Sequence, residues 1–222
     1  MKNWLRNNYK NYICLFVVFP LLGIVSILFN NANFGSDAIF CLNQGVSVAL
    51  KLPLGVVNIM LNCLFFIIMI FFNRKAIGVG TILMMVLLGV FIDLMMMVNF
   101  IPDLGKLKDT LEPILYVVLQ VAYVLTALVI GGFAISLYIY ANRGVSPFEG
   151  VLIRVSEVTR IPFWACKIIN DIIFYIIGFV LGGTIGIGSI IAAILYGPSI
   201  SIFGKMWKKI DFLGEYKNEE IK

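Results

Sequence analysis

Lys167 and Asp171 stand four residues apart inside the apolar stretch from Pro162 to Leu181. On a helix that spacing puts an ammonium and a carboxylate on one face. At 1.5 Å per residue Asp171 lies ~14 Å into the stretch, near the midplane of a bilayer. An acid at that depth costs about 2.5–3.5 kcal/mol on insertion scales, so it must face a protein or water interior and find partners there. Its chemistry would be binding a substrate cation or exchanging a proton. The structural alternative is that Lys167 only neutralises it, or snorkels to the interface about 7 Å away.

Asn58 and Asn62 repeat the same spacing in another apolar run; they are candidates to supply hydrogen bonds to the same solute, or to hold helices together. Asp93 is a second acid inside an apolar run, followed by Met95-Met96-Met97. It is a candidate proton relay or cation ligand, whereas three consecutive Met residues cannot all face one ion and read as packing. Two Gly-x-Gly-Thr/Ser elements follow, Gly78-Val79-Gly80-Thr81 and Gly186-Ile187-Gly188-Ser189. They lack the Lys and the preceding strand of a phosphate loop. Glycines there permit a tight reversal and Thr81 or Ser189 caps the next helix, while paired helix starts offer a weaker case for holding an anion. Ser146-Pro147-Phe148-Glu149 opens a further helix, with Ser146 and Glu149 as candidates for a gate over a cavity. Arg154, Glu157 and Arg160 continue it and favour a helix lying at the lipid surface.

These groups need elements to hold them, and composition identifies the elements. Of 222 residues 61% are hydrophobic and 13% charged, and the mean hydropathy is +1.00, outside the range of soluble domains. The chain has no His, which excludes imidazole-based catalysis, imidazole-ligated haem and the usual zinc sites. Cys14, Cys41, Cys63 and Cys166 form no CxxC pair and read as packing residues. No metal or cofactor is expected.

A crossing helix needs about 20 apolar residues, and six runs qualify: Tyr12 to Phe29, Pro53 to Phe72, Thr81 to Phe100, Pro113 to Tyr140, Pro162 to Leu181 and Ser189 to Trp207. The first follows Lys2, Arg6 and Lys10, like a signal peptide, yet is too long for an ordinary h-region and is followed by a poor cleavage site, Asn30-Asn31-Ala32-Asn33. Six crossings from a cytoplasmic start put 13 Lys and Arg residues inside and three, Lys51, Lys106 and Lys108, outside. The positive-inside rule therefore selects two cytoplasmic termini. Topology accounts for the net charge of +5, and no nucleic-acid partner is expected.

Sliding the chain against itself by 109 residues aligns Gly23, Ala32, Asn33, Gly35, Ser47, Pro53 and Phe65 with Gly132, Ala141, Asn142, Gly144, Ser156, Pro162 and Phe174. At an offset of 108 the two Gly-x-Gly elements coincide, and Asp93 faces Ser201. At the offset of 109, Asn58 and Asn62 correspond to Lys167 and Asp171. The chain reads as an all-α polytopic membrane protein of about six transmembrane helices, built as two inverted three-helix repeats, each with a short amphipathic or re-entrant helix. The halves are 1–100 and 101–210, followed by a cytoplasmic tail, 211–222. If the short segments near 36–52 and 145–161 also crossed, there would be eight spans and parallel repeats; segments of 10–14 moderately apolar residues are more often interfacial or re-entrant.

The paired Asn-x-Gly, Pro and Ile-Gly-x-Gly-Thr/Ser elements, with Gly89 to Asp93 after the first and Gly197-Pro198 after the second, resemble the bacterial YczE/YitT-type integral membrane proteins from about Leu15 to Phe203. Gly144 to Glu149 is similar to that family's Leu-Gly-x-Ser-Pro-Trp-Asp pattern, with Phe148 and Glu149 replacing Trp and Asp. Phe34 to Ala38 departs further, with neither Pro nor aromatic after Gly35. The resemblance implies a multi-pass protein of the bacterial cytoplasmic membrane and supplies neither substrate nor catalytic residue.

The expectation is a small secondary transporter or exporter of a polar small molecule, with the lipid bilayer as partner and a homodimer possible. The alternative is a non-transporting membrane partner or regulator. An intramembrane enzyme is disfavoured by the absence of His, of a core Ser–Lys pair and of a metal cluster. Alkaline phosphatase, active only outside the cytoplasm, is expected to be active when fused after Lys106 and silent after Arg74 or Arg160; the reverse pattern would invert the orientation.

Overall fold

The computed structural model describes residues 2–98 and 100–210; the predicted tail, 211–222, lies outside them. Every regular element described is helical: α1 (Lys2–Ala32), α2 (Ala38–Leu50), α3 (Leu54–Phe72), α4 (Val79–Val98), α5 (Leu104–Leu107), α6 (Pro113–Tyr140), α7 (Pro147–Thr159), α8 (Phe163–Val180) and α9 (Ile187–Ile210), with a 3₁₀ turn at Arg74–Ala76. Six segments are long and apolar enough to cross a membrane: Tyr9–Ala32, Leu54–Phe72, Val79–Val98, Pro113–Tyr140, Phe163–Val180 and Ile187–Trp207. They match the six runs read from the sequence to within a few residues. Helices α2 and α7 have 13 residues each, about 20 Å of rise, too short for a hydrocarbon core of about 30 Å.

The backbone repeats where the sequence does. Asn33 and Asn142 take φ of 48° and 47°, Gly35 and Gly144 101° and 113°, and Lys51 and Arg160 54° and 59°. These left-handed residues end α1, α6, α2 and α7; Asn and Gly adopt the conformation at little cost, whereas Lys51 and Arg160 hold it as the C-caps of α2 and α7. The Ser47 hydroxyl donates to Leu52 O at 2.6 Å, and Ser156 to Ile161 O at 2.8 Å.

The halves interlock. Asn11 Nδ2 donates to Ala141 O at 3.0 Å and Gln120 Nε2 to Ala32 O at 2.9 Å, so α1 and α6 run antiparallel with the start of each fastened to the end of the other. Gly80 N donates to Arg143 O at 2.7 Å, and Gly188 N to Phe34 O at 2.8 Å. Each Gly-x-Gly turn thus sits against the Asn-x-Gly turn of the opposite half, where a Cβ on Gly78 would meet the Arg143 carbonyl and one on Gly186 the Phe34 carbonyl.

That docking sends each short helix across the molecule: α2 packs on α8 and α7 on α3. Asn73 Nδ2 ties α3 to Gly150 O at 2.9 Å, while Thr184 N ties the α8–α9 loop to Gln44 Oε1 at 2.8 Å. Phe65 and Phe174, equivalent in the repeat, meet each other at 5.9 Å between ring centroids, with Phe148 against both.

The outer helices break this pattern. Helix α3 packs along α4, whereas α8 and α9 scarcely touch. Gly55 and Gly89 let the first pair close, and Gly55 N donates to Asp93 Oδ1 at 2.7 Å. Their equivalents are Trp164, Gly197 and Ser201, and a Cβ on Gly197 would meet nothing within 4 Å.

Gly78→Ala and Gly186→Ala are each expected to destabilise the protein by about 1–3 kcal/mol, the usual cost of overpacking, with Gly197→Ala unchanged. Thermal unfolding in detergent measures all three; equal effects would contradict this packing.

Candidate functional site

Lys167 Nζ donates to Asp171 Oδ1 at 2.7 Å and Oδ2 at 2.9 Å. Helix α8 supplies both, one turn apart. The side chains are half-buried. The ammonium also lies 5.5 Å from the centre of the Phe148 ring, a cation–π contact from α7.

The crossing helices bring two more carboxylates to this cation. Asp37 is the N-cap of α2, its Oδ1 accepting from Phe40 N at 3.0 Å. Burial raises its pKa to about 6, against the Phe40 hydrogen bond and the charge of Lys167, and Asp171 adds to the rise. Glu149 lies in the first turn of α7, capped by Ser146, whose Oγ accepts from Glu149 N at 3.3 Å. Burial raises Glu149 as well, opposed by its hydrogen bond with Ser146 and by Lys167. One lysine therefore acts on three acids from α2, α7 and α8. Tyr175 completes the junction, its hydroxyl donating to Ser36 O at 3.0 Å.

The remaining candidates are placed differently. Asn58 and Asn62 are buried in α3 and bond to each other, Asn62 Nδ2 donating to Asn58 Oδ1 at 3.0 Å. This mirrors the Lys167–Asp171 pair within its own helix, and no hydrogen bond joins the two pairs. Asp93 caps the start of α3 through Gly55 N. Helices α4 and α9 begin at Val79 and Ile187, slightly earlier than expected, so Thr81 and Ser189 sit inside the first turns. Thr81 Oγ1 accepts from Gly78 N at 3.0 Å and donates to Val145 O at 2.8 Å; Ser189 Oγ accepts from Ser36 N at 3.1 Å and Gly186 N at 3.4 Å. With Gly80 N and Gly188 N bonded to the opposite half, these donors serve the junction, which leaves little for an anion. On α7, Arg154 pairs with Glu157 at 2.9 Å on the exposed side, while Phe148 and Leu152 face inward.

A cavity of about 550 Å³ opens where the first Gly-x-Gly turn meets the end of α6, lined by Lys75, Tyr138, Arg143 and Glu149 among others. Asp37, Tyr138 and Arg143 were not legible as site residues. Their one signal is register: Asp37 aligns with the helix cap Ser146, which marks a helix start and says nothing of what lies across from it.

Residues 9–205 match the model of the family of unknown function DUF6198. An uncharacterised protein of Haemophilus influenzae is 22% identical over 197 residues, covering 88% of this chain and 84% of its own length. No solved structure matches. These matches give a family of unknown function and do not support the resemblance to YczE/YitT-type proteins.

Because its folded pKa lies above the unfolded value of 3.8, Asp37 contributes most stability below that value and loses it as pH rises through about 6. Cys41, Tyr175 and Tyr196 share its surroundings with Lys167 and Asp171. Asn keeps the cap, so Asp37→Asn is expected to flatten the fall in melting temperature between pH 4.5 and 7. A fall as steep as in the parent protein would refute the assignment.

Proposed function

We propose that this chain, which belongs to the DUF6198 family of unknown function, is a small secondary transporter of a polar solute in a bacterial cytoplasmic membrane. One observation carries the reading: two short helices at equivalent places each pack across on the other half, α2 carrying Asp37 into the field of Lys167 and Asp171, while Glu149 at the start of α7 also feels Lys167. Paired short helices at a repeat interface are the common site of solute and ion binding in transporters. The antiparallel α1 and α6 and the reciprocal turn contacts support reading the halves as inverted repeats, with both termini cytoplasmic as the Lys and Arg distribution argues.

The different packing of α3 on α4 and of α8 beside α9 fits a transporter caught with its halves in unequal states, one closed and one parted. In this reading Asp171 is the group that changes partner: it leaves Lys167 for a solute cation or a proton and returns to it. No catalytic step is assigned, and kinship with YczE/YitT-type proteins is part of the same proposal.

Flux into proteoliposomes, followed for amino acids, organic anions, nucleosides and cations, tests it. The parent protein is expected to move one class, and Asp171→Asn to lower that flux at least tenfold while the melting temperature stays within a few degrees. A folded parent protein that moves none of them would favour a membrane partner or regulator instead.

A further inference from the structure

We infer that Glu149 is a proton-exchange site, its carboxyl taking up and releasing a proton through the cavity at the inner end of α6, and that this exchange sets how fully Lys167 neutralises Asp171. The inference names the proton as the coupling ion of the transporter reading, and rests on that reading for the role of Asp171 and for which side is inner.

The cavity, about 550 Å³, reaches Glu149 from the end of α6, on the side that the Lys and Arg distribution assigns to the cytoplasm. It is polar in part and roomy enough for several waters. Tyr138 on the same wall is 3% exposed, and its hydroxyl has no hydrogen-bond partner among the described residues. A buried hydroxyl in that condition costs roughly 1–3 kcal/mol. Its partner therefore lies within the cavity, and water there carries protons to Glu149.

Glu149 also feels the ion pair. Lys167 Nζ bonds both oxygens of Asp171 and stands 5.5 Å from the ring centre of Phe148, the residue before Glu149. Ser146 holds Glu149 in place, its Oγ accepting from Glu149 N at 3.3 Å and bonding the side chain. A capping arrangement of this kind is made by Gln as well as by Glu, so α7 does not require the charge. Nor does the junction require it. Shifted by 109 residues, Tyr138 and Glu149 become Phe29 and Phe40, buried rings with centroids 5.9 Å apart. A carboxyl where the fold accepts a ring costs desolvation, and ionisable groups kept at such a cost are candidates for proton relay. Burial raises the Glu149 carboxyl above its ordinary 4.5, opposed by the Ser146 bond and by Lys167.

The charged and titratable groups around Glu149 are Lys167 on α8, Tyr138 on α6, Tyr196 on α9, and Tyr12, Lys75 and Arg143 along the cavity. Helix α3, packed on α7, carries no charged residue, and Asp93 of α4 is bonded at the far end of α3. Proton loss from Glu149 breaks only its O–H bond and passes the proton to cavity water. The carboxylate left behind draws on the ammonium that Asp171 holds, which frees Asp171 for a solute cation. Proton uptake returns Lys167 to Asp171. Cation binding at Asp171 and proton release at Glu149 are linked in this way, and each favours the other.

Infrared spectra of the full chain in detergent, recorded as pH is raised from 4.5, report protonated carboxyl groups directly. The parent protein is expected to lose a carboxyl band that Glu149→Gln lacks; Asp37→Asn separates the contribution of Asp37. In Lys167→Gln the Glu149 band is expected to persist to higher pH, with proton affinity up at least about threefold. Asp171→Asn, which leaves the ammonium to the remaining acids, is expected to shift it the opposite way. Gln keeps the cap, so Glu149→Gln is expected to melt within a few degrees of the parent. Identical bands in the parent and Glu149→Gln would overturn the site, and a Glu149 band unmoved in both Lys167→Gln and Asp171→Asn would overturn its link to the ion pair. A titrating Glu149 without flux would leave this site standing and remove the transporter reading alone; flux without that band would do the reverse.

Discussion

Two backbone hydrogen bonds hold the arrangement in place, Gly80 N to Arg143 O and Gly188 N to Phe34 O. Each joins a Gly-x-Gly turn of one half to the Asn-x-Gly turn of the other. A peptide group buried between packed elements and left unpaired costs free energy, so turns that meet where helices end must satisfy each other. They do so only at close range, which the missing side chains of Gly78 and Gly186 permit. The left-handed Asn33–Gly35 and Asn142–Gly144 turns then aim α2 and α7 into the opposite half. The placement of Asp37 and Glu149 follows from that aim.

Positions that align between the two parts of the sequence carry unequal chemistry. Lys167 and Asp171 form an ion pair where Asn58 and Asn62 form an amide pair, with the same geometry along the helix. Glu149 stands where the other half has Phe40, and Asp37 where it has Ser146. In each case the backbone role is conserved while charge appears on one side only. Charges removed from water must be compensated locally, and here Lys167 pairs with Asp171 while its charge also acts on Asp37 and Glu149. An incompletely matched set is a poor device for stability alone. It suits a site whose partners exchange.

The same inequality reaches the outer helices. Gly55, Gly89 and the Asp93 cap draw α3 onto α4, while Trp164 and Ser201 leave α8 without an equivalent hold on α9. Helix–helix contact in lipid depends on close approach of small residues and on polar bonds more than on apolar area, because lipid tails are as apolar as Leu. One glycine exchanged for tryptophan and one carboxylate for a hydroxyl account for the difference.

The sequence by itself located the six apolar runs and the residues that recur at offsets of 109 and 108. Span length, glycine turns and basic loops are local properties that need no knowledge of neighbours. It also located Lys167–Asp171, since an i, i+4 pair is set by helix geometry. The family match is silent on activity, so no functional role was legible there either. Tertiary structure alone decided that α2 and α7 exchange halves, that Asn58 and Asn62 bond to each other, and that Asp93 caps α3. It alone brought Asp37, Glu149 and Tyr138 to the junction. Asp37 lies 130 positions from Lys167, and a repeat offset reports equivalence between positions without reporting contact. Contact was set by the docking of backbone turns across the two halves, an interaction between peptide groups that no side-chain pattern displays.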